Sequence, residues 1–153
     1  MAKTYRVGAG ARLVNIVFRV MTRLGLGKDY RHVLTVRGRK TGRPYSIPVD
    51  VMRNGDQRWL VAAYGITNWV HNARAAGEVQ IARGRYRETL RVAEVAPEDG
   101  VPVLRQYLRE VPVTRAYFDV TPDSPDERFV AEAERHPVFE LIPGAAHAQA
   151  ADG

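Results

Sequence analysis

Four cations, Arg37, Arg39, Lys40 and Arg43, crowd into the stretch Thr35–Val49, with Gly38 and Gly42 on either side of Arg39-Lys40-Thr41. Glycine reaches backbone angles barred to other residues, so such a loop can turn tightly and aim several N–H groups at one point. The basic side chains then supply charge, and Thr41 a hydroxyl, for something negative. Apolar, strand-like runs flank the loop. A strand, a basic turn and a second strand read together as an anion clamp, and phosphate is the commonest biological anion that needs one. The spacing is not that of a P-loop, which requires Gly-x-x-x-x-Gly-Lys-Ser/Thr. Taken alone, the turn fits a solvated Arg/Lys hairpin without ligand equally well.

Other chemistries are excluded more firmly. The chain has no cysteine, which removes disulfides, thiolate metal sites and cysteine nucleophiles. Its four histidines, His32, His71, His136 and His147, lack metal-ligand spacing, so no structural metal is expected. The net charge of +6 points to an anionic partner: nucleic acid, an acidic membrane surface or a phosphorylated small molecule. Nucleic-acid binding favours aromatics interleaved with the cations, and only Tyr45 neighbours this cluster, so that partner is disfavoured. A charged content of 26% rules out a membrane-embedded chain, and no run approaches the ~18 apolar residues of a spanning helix. The N-terminus lacks a signal peptide's apolar core, and a cytoplasmic protein is expected.

The 153 residues suit a single domain. Leu13, Ile16, Val17, Val20 and Leu24 recur at helical spacing, with Arg12, Arg19 and Arg23 opposite. An amphipathic helix over roughly residues 10–25 follows. It either packs on the core or rests on an anionic membrane at the inner face, and core packing is the preferred reading. The period then changes to two. His32–Val36, Ser46–Met52 and Arg58–Ala63 read as strands, the last two joined by a hairpin at Asn54-Gly55. Pro48 implies an edge or a bulge. Asn68–Ala76 reads as a helix closed by Gly77, and Glu78–Ala82 with Arg87–Val95 as a hairpin around Arg83-Gly84-Arg85. A helix over Pro97–Arg109, a short helix opened by Ser124-Pro125-Asp126-Glu127 and a strand at Val138–Ile142 complete a barrel core of roughly residues 30–143, with a frayed tail over 144–153. The order fits an α+β fold, an antiparallel barrel with peripheral helices, better than a βαβ fold. No Gly-x-Gly-x-x-Gly fingerprint is present.

The series Thr35-Val36-Arg37-Gly38-Arg39-Lys40-Thr41-Gly42-Arg43-Pro44, Pro48-Val49, Trp59-Leu60-Val61-Ala62-Ala63-Tyr64-Gly65 and Asn68-Trp69-Val70-His71-Asn72-Ala73-Arg74-Ala75 resembles the deazaflavin-dependent nitroreductase and quinone-reductase family. The resemblance runs over roughly residues 10–143. It implies an antiparallel split β-barrel of the flavin-reductase and pyridoxine-phosphate-oxidase type, and hydride transfer from reduced coenzyme F-420 to a quinone, enone or nitro compound. It also implies that Arg39, Lys40 and Thr41 belong to the site for the coenzyme's phosphate and charged tail. Trp69 and Asn72 would then lie beside the coenzyme, and Pro48 near its ring. A flat tricyclic ring wants an aromatic or apolar wall, and a multiply charged tail wants Arg and Lys.

Two positions depart from the nitro-reducing members. Tyr45 stands where they have a second basic residue, for which Arg43 can substitute, and bulky Tyr64 stands where they tend to have serine. Tyr64 and Tyr117 are the candidate hydroxyl donors to the acceptor oxygen. His71, two residues beyond Trp69, is read as structural or surface. Two alternatives remain open: a deazaflavin carrier without turnover, and an FMN enzyme on a similar barrel whose basic turn holds the flavin phosphate.

Overall fold

The computed structural model describes residues 31–144; the expected N-terminal helix and the tail beyond Gly144 lie outside them. Six strands, β1 (Arg31–Arg37), β2 (Pro44–Asn54), β3 (Gln57–Val61), β4 (Glu78–Arg83), β5 (Tyr86–Glu94) and β6 (Val138–Pro143), form a closed antiparallel barrel in the order β1-β2-β3-β6-β5-β4. Helix α1 (Asn68–Ala76) joins β3 to β4. Between β5 and β6 lie α2 (Pro97–Glu110), a 3₁₀ turn (Pro112–Tyr117) and α3 (Asp126–Arg135). The expected split-barrel architecture is therefore present, with peripheral helices.

Local chemistry accounts for most boundaries. Two-residue hairpins join β2 to β3 and β4 to β5, with Asn54 opposite Gln57 and Arg83 opposite Tyr86. In each, the first loop residue is the glycine, Gly55 or Gly84, with φ of 61° or 58°, while among the described residues no non-glycine has positive φ. That is the type II′ pattern, so Asn54 ends its strand instead of joining the turn. Pro48 sits opposite Val33 in a β1–β2 ladder whose register is unbroken from Arg31↔Asp50 to Arg37↔Pro44. Pairing of β2 with β3 begins only at Val51, so Pro48 occupies an edge segment and no bulge is needed. Helix α2 starts at Pro97 with Glu98 and Asp99 in its first turn, where a missing N–H and negative charge are both favourable.

The described residues form two apolar cores. Leu34, Val36, Val51, Leu60, Ile81, Leu90 and Phe139 fill the barrel interior, closed by Val70 and Ala73 of α1. Met52, Trp59, Val61 and Val138 face outward and meet Leu104, Leu108, Phe118 and Phe129 of the helical layer. The barrel wall thus alternates its side chains between two cores, and burying both faces fixes its register.

β3 stops at Val61, two residues short of the expected end. Ala62 N–H bonds the Pro137 carbonyl, and Ala63 N–H turns back onto the Val61 carbonyl. The 3₁₀ turn has no counterpart among the sequence expectations.

Candidate functional site

Strand directions gather the candidates at one end of the barrel. β1 ends and β2 begins there, around the basic turn. β3, antiparallel to β2, ends there with Val61 opposite Val138, the first residue of β6. The segment Ala62–Thr67, α1 and the stretch before β6 therefore sit at the same end as Gly38–Arg43. At the far end, Arg58 makes a two-pronged bond to Glu88 at 2.9 and 3.0 Å, which fastens β3 to β5.

The turn is closed by its own backbone: Gly38 N–H donates to the Arg43 carbonyl at 2.7 Å, and Gly42 N–H to the Gly38 carbonyl at 2.9 Å. Gly42 takes φ of 73°. A side chain at Gly38 would bring its Cβ to 2.5 Å from Tyr45 Cε2, so the Tyr45 ring lies directly across the turn. Thr41 Oγ1 accepts the Arg43 N–H and pairs with the Tyr45 hydroxyl, both at 3.2 Å. Thr41 thus shapes the turn, and Tyr45 braces it.

Arg39 ties the turn to α1. Its backbone N–H and its Nη1 both donate to Asn72 Oδ1, at 3.1 and 2.8 Å, and Asn72 is buried. Trp69 lies one helical turn earlier on the same face. It is half-buried against the barrel core, its indole tilted by 56° on Phe139 at 5.7 Å between ring centres. Lys40 and Arg43 are exposed, and among the described residues neither side chain has a partner. Arg58, Arg74 and Arg105, by contrast, are each paired with an acid. A basic turn tied to the helix that carries a half-buried indole offers the donor types a phosphorylated aromatic cofactor needs.

Pro48 lies apart from this group. Ile47 and Val49 pack with Trp69 toward the barrel interior, so Pro48, between them, faces outward with Ser46 and Asp50. His71 is exposed, in keeping with a surface role.

The two candidate tyrosines meet. Tyr64 and Tyr117 pack edge to face, ring centres 4.8 Å apart at 87°. Tyr64 is 43% exposed, open to an incoming molecule. Tyr107 is buried, its hydroxyl donating to Asp50 Oδ2 at 3.4 Å. Burial raises the Asp50 carboxyl above its ordinary range, opposed by the Arg31 guanidinium and the Tyr107 hydrogen bond. Burial, and then the Asp50 charge, push the Tyr107 phenol well up.

Sequence reasoning missed His136. Buried, it holds Nδ1 at 2.8 Å from the Ala62 carbonyl, Nε2 at 3.3 Å from Glu132 Oε1, and its ring stacked on Phe118. Burial lowers its pKa, against the pull of the Ala62 carbonyl and the Glu132 carboxylate. No local pattern announces a contact between residues 74 positions apart.

No group of His, Asp and Glu among the described residues is arranged to hold a metal, and none of their helices is long and apolar enough to cross a membrane. Solved structures share the fold at low identity. An F420-H2 dependent reductase, FDR-A, is 16% identical over 74% of this chain and 94% of its own, with a TM-score of 0.53. The haem storage protein HutZ of Vibrio cholerae is 14% identical over 84% and 87%, with a TM-score of 0.54. General Stress Protein 26 of Bacillus anthracis is 10% identical over 83% and 88%, at 0.52. No curated protein matches the chain in sequence. The family model described as F420H2-dependent quinone reductase matches residues 12–123, and with that span over the basic turn, α1 and five of the barrel's six strands, the chain belongs to this family.

Proposed function

We propose that the protein is a reductase that uses reduced coenzyme F-420 and acts on a small electron-poor acceptor, a quinone, an enone or an activated nitro compound. The observation that carries this reading is the fastening of Arg39 to Asn72, which ties the cation-bearing turn to the helix that carries Trp69, at one end of the barrel. Lys40, Arg43 and the free N–H groups of Arg39 would hold the phosphate and acidic tail, and Trp69 would wall the ring. When bound, the reduced coenzyme supplies a hydride from its C5 position. The chain's own part is positioning, exclusion of water and a hydrogen bond to the acceptor oxygen. Tyr64 is the leading donor, being exposed and backed by Tyr117. Asn72, whose oxygen is committed to Arg39, acts through the turn more than on the coenzyme.

Anaerobic oxidation of the reduced coenzyme, started by adding a monocyclic quinone, tests the reading. Acceptor-dependent turnover is expected. Tight binding without turnover would make the protein a carrier, and co-purified FMN with no affinity for the deazaflavin would overturn the cofactor assignment.

A further inference from the structure

The turn that carries Tyr64 has an unusual second fastening. Ala62, Ala63, Tyr64 and Gly65 form a tight turn closed by the Gly65 N–H on the Ala62 carbonyl at 3.1 Å. The same carbonyl accepts a second hydrogen bond, from His136 Nδ1 at 2.8 Å. Ala62 N–H donates in turn to the Pro137 carbonyl at 2.9 Å, so His136 and Pro137 grip both backbone groups of Ala62.

The imidazole also reaches the other tyrosine. Its face stacks on Phe118, ring centres 4.0 Å apart and 24° from parallel, and Phe118 follows Tyr117 in the chain. Behind the imidazole, Glu132 accepts the Asp119 N–H at 3.2 Å and Arg135 Nη2 at 2.6 Å, and Arg135 lies 3.6 Å from Asp119 Oδ2. Arg128 Nη2 caps the Asp119 carbonyl at 2.9 Å. One buried ring therefore joins the Tyr64 turn, the Tyr117–Asp119 segment and α3.

We propose that His136 is a positioning residue that holds Tyr64 and Tyr117 in their edge-to-face pairing through the Ala62 carbonyl and Phe118. The inference rests on the reading of those tyrosines as the acceptor-side donors. His136 touches neither acceptor nor coenzyme. Its part is to fix where the Tyr64 hydroxyl points, with Glu132 orienting the ring by its Nε2 edge.

The test compares His136→Phe, which keeps the stack and loses the Nδ1 donor, with His136→Asn, whose amide N–H stands where Nδ1 does. With 3-fluorotyrosine incorporated, the fluorine resonance of Tyr64, assigned by Tyr64→Phe, should shift in H136F and return toward wild type in H136N, while that of Tyr117, assigned by Tyr117→Phe, should shift in H136N, which lacks the stack. Quinone turnover should fall at least tenfold in H136F with coenzyme affinity within twofold of wild type, and H136F should add less than about threefold in a Tyr64→Phe background. If H136F does not fold, His136→Gln, which lacks a donor at the Nδ1 position, takes its place against H136N. Unchanged tyrosine resonances in a folded H136F, or an equal loss of turnover with and without the Tyr64 hydroxyl, would overturn the proposal. If no variant binds the deazaflavin, the cofactor reading fails, while the fluorine resonances still decide the positioning.

Discussion

The side-chain oxygen of Asn72 receives two N–H groups from Arg39, the backbone amide at 3.1 Å and Nη1 at 2.8 Å. The basic turn is therefore not a free loop but an appendage of α1, and its cations are held at a set place relative to Trp69. Asn72→Ala removes both bonds and should lower stability by about 1–2 kcal/mol and coenzyme affinity by about tenfold. Asn72→Asp keeps the acceptor and adds a negative charge, so it should melt near the wild type yet bind the coenzyme more weakly. Thermal melts beside fluorescence titrations check both. An aspartate variant that binds as well as wild type would mean that the anion lies elsewhere.

Trp69 serves two ends in this arrangement, packing on Phe139 inside the barrel while leaving part of its indole open. Trp69→Ala should cost about 3–5 kcal/mol if the indole behaves as a core residue, and less in proportion to its exposed part. In protein that remains folded, affinity for the whole deazaflavin should fall further than affinity for a phosphorylated polyglutamate without the ring. Equal losses for the two ligands would leave Trp69 as core alone.

Tyr64 offers both bulk and a hydroxyl. Tyr64→Phe keeps the ring against Tyr117 and drops the donor, and quinone turnover should fall by roughly 10²–10³, the range for losing one oxyanion donor. Tyr64→Ser should widen the acceptor range, raising turnover of bulky nitroaromatics relative to a small quinone. A fall under about threefold for the phenylalanine variant would deny the hydroxyl its role, and an unchanged nitro-to-quinone ratio would move the acceptor away from this turn.

Asp50 gives a prediction about pH. Its folded-state pKa is raised, chiefly by burial, with Arg31 and the Tyr107 hydroxyl as the groups that face it. A raised carboxyl pKa means the folded protein binds that proton more readily than the unfolded chain does. The resulting stability is complete below the ordinary value of 3.8 and is lost as pH rises through the folded value. Asp50→Asn should then melt above the wild type at pH 7, with the gap closing as the pH falls toward 3.8. A lower melting point for the variant at pH 7 would show that the Arg31 pair outweighs the burial.

Much of the barrel could be read from residue patterns, because its signals are local. Gly55 and Gly84 mark hairpins, Pro97 with Glu98 and Asp99 marks a helix start, and alternating apolar residues mark strands with two buried faces. Even there Asn54 ended its strand, since one glycine alone satisfied the turn. The 3₁₀ turn at Pro112–Tyr117 carries no periodic signal, being six residues held by contacts to α2. The Arg39–Asn72 bond, the Tyr64–Tyr117 pairing and the His136 fastening all join residues far apart in the chain. Residue type and spacing nominated Arg39, and the family resemblance Asn72, Tyr64 and Tyr117, but only the closed barrel brings each to its partner, and His136 had no type or spacing to nominate it.

The central claim is that the basic turn is an anion clamp for a deazaflavin, and one titration tests it most directly. Oxidised coenzyme F-420 is titrated by fluorescence into wild-type protein and into the Arg39→Ala/Lys40→Ala double variant, at low salt. Saturable binding by the wild type is expected, weakened in the double variant by about 1–3 kcal/mol for each charge-assisted hydrogen bond removed. Equal affinity for the two proteins, or no binding by a folded wild type, would contradict the account.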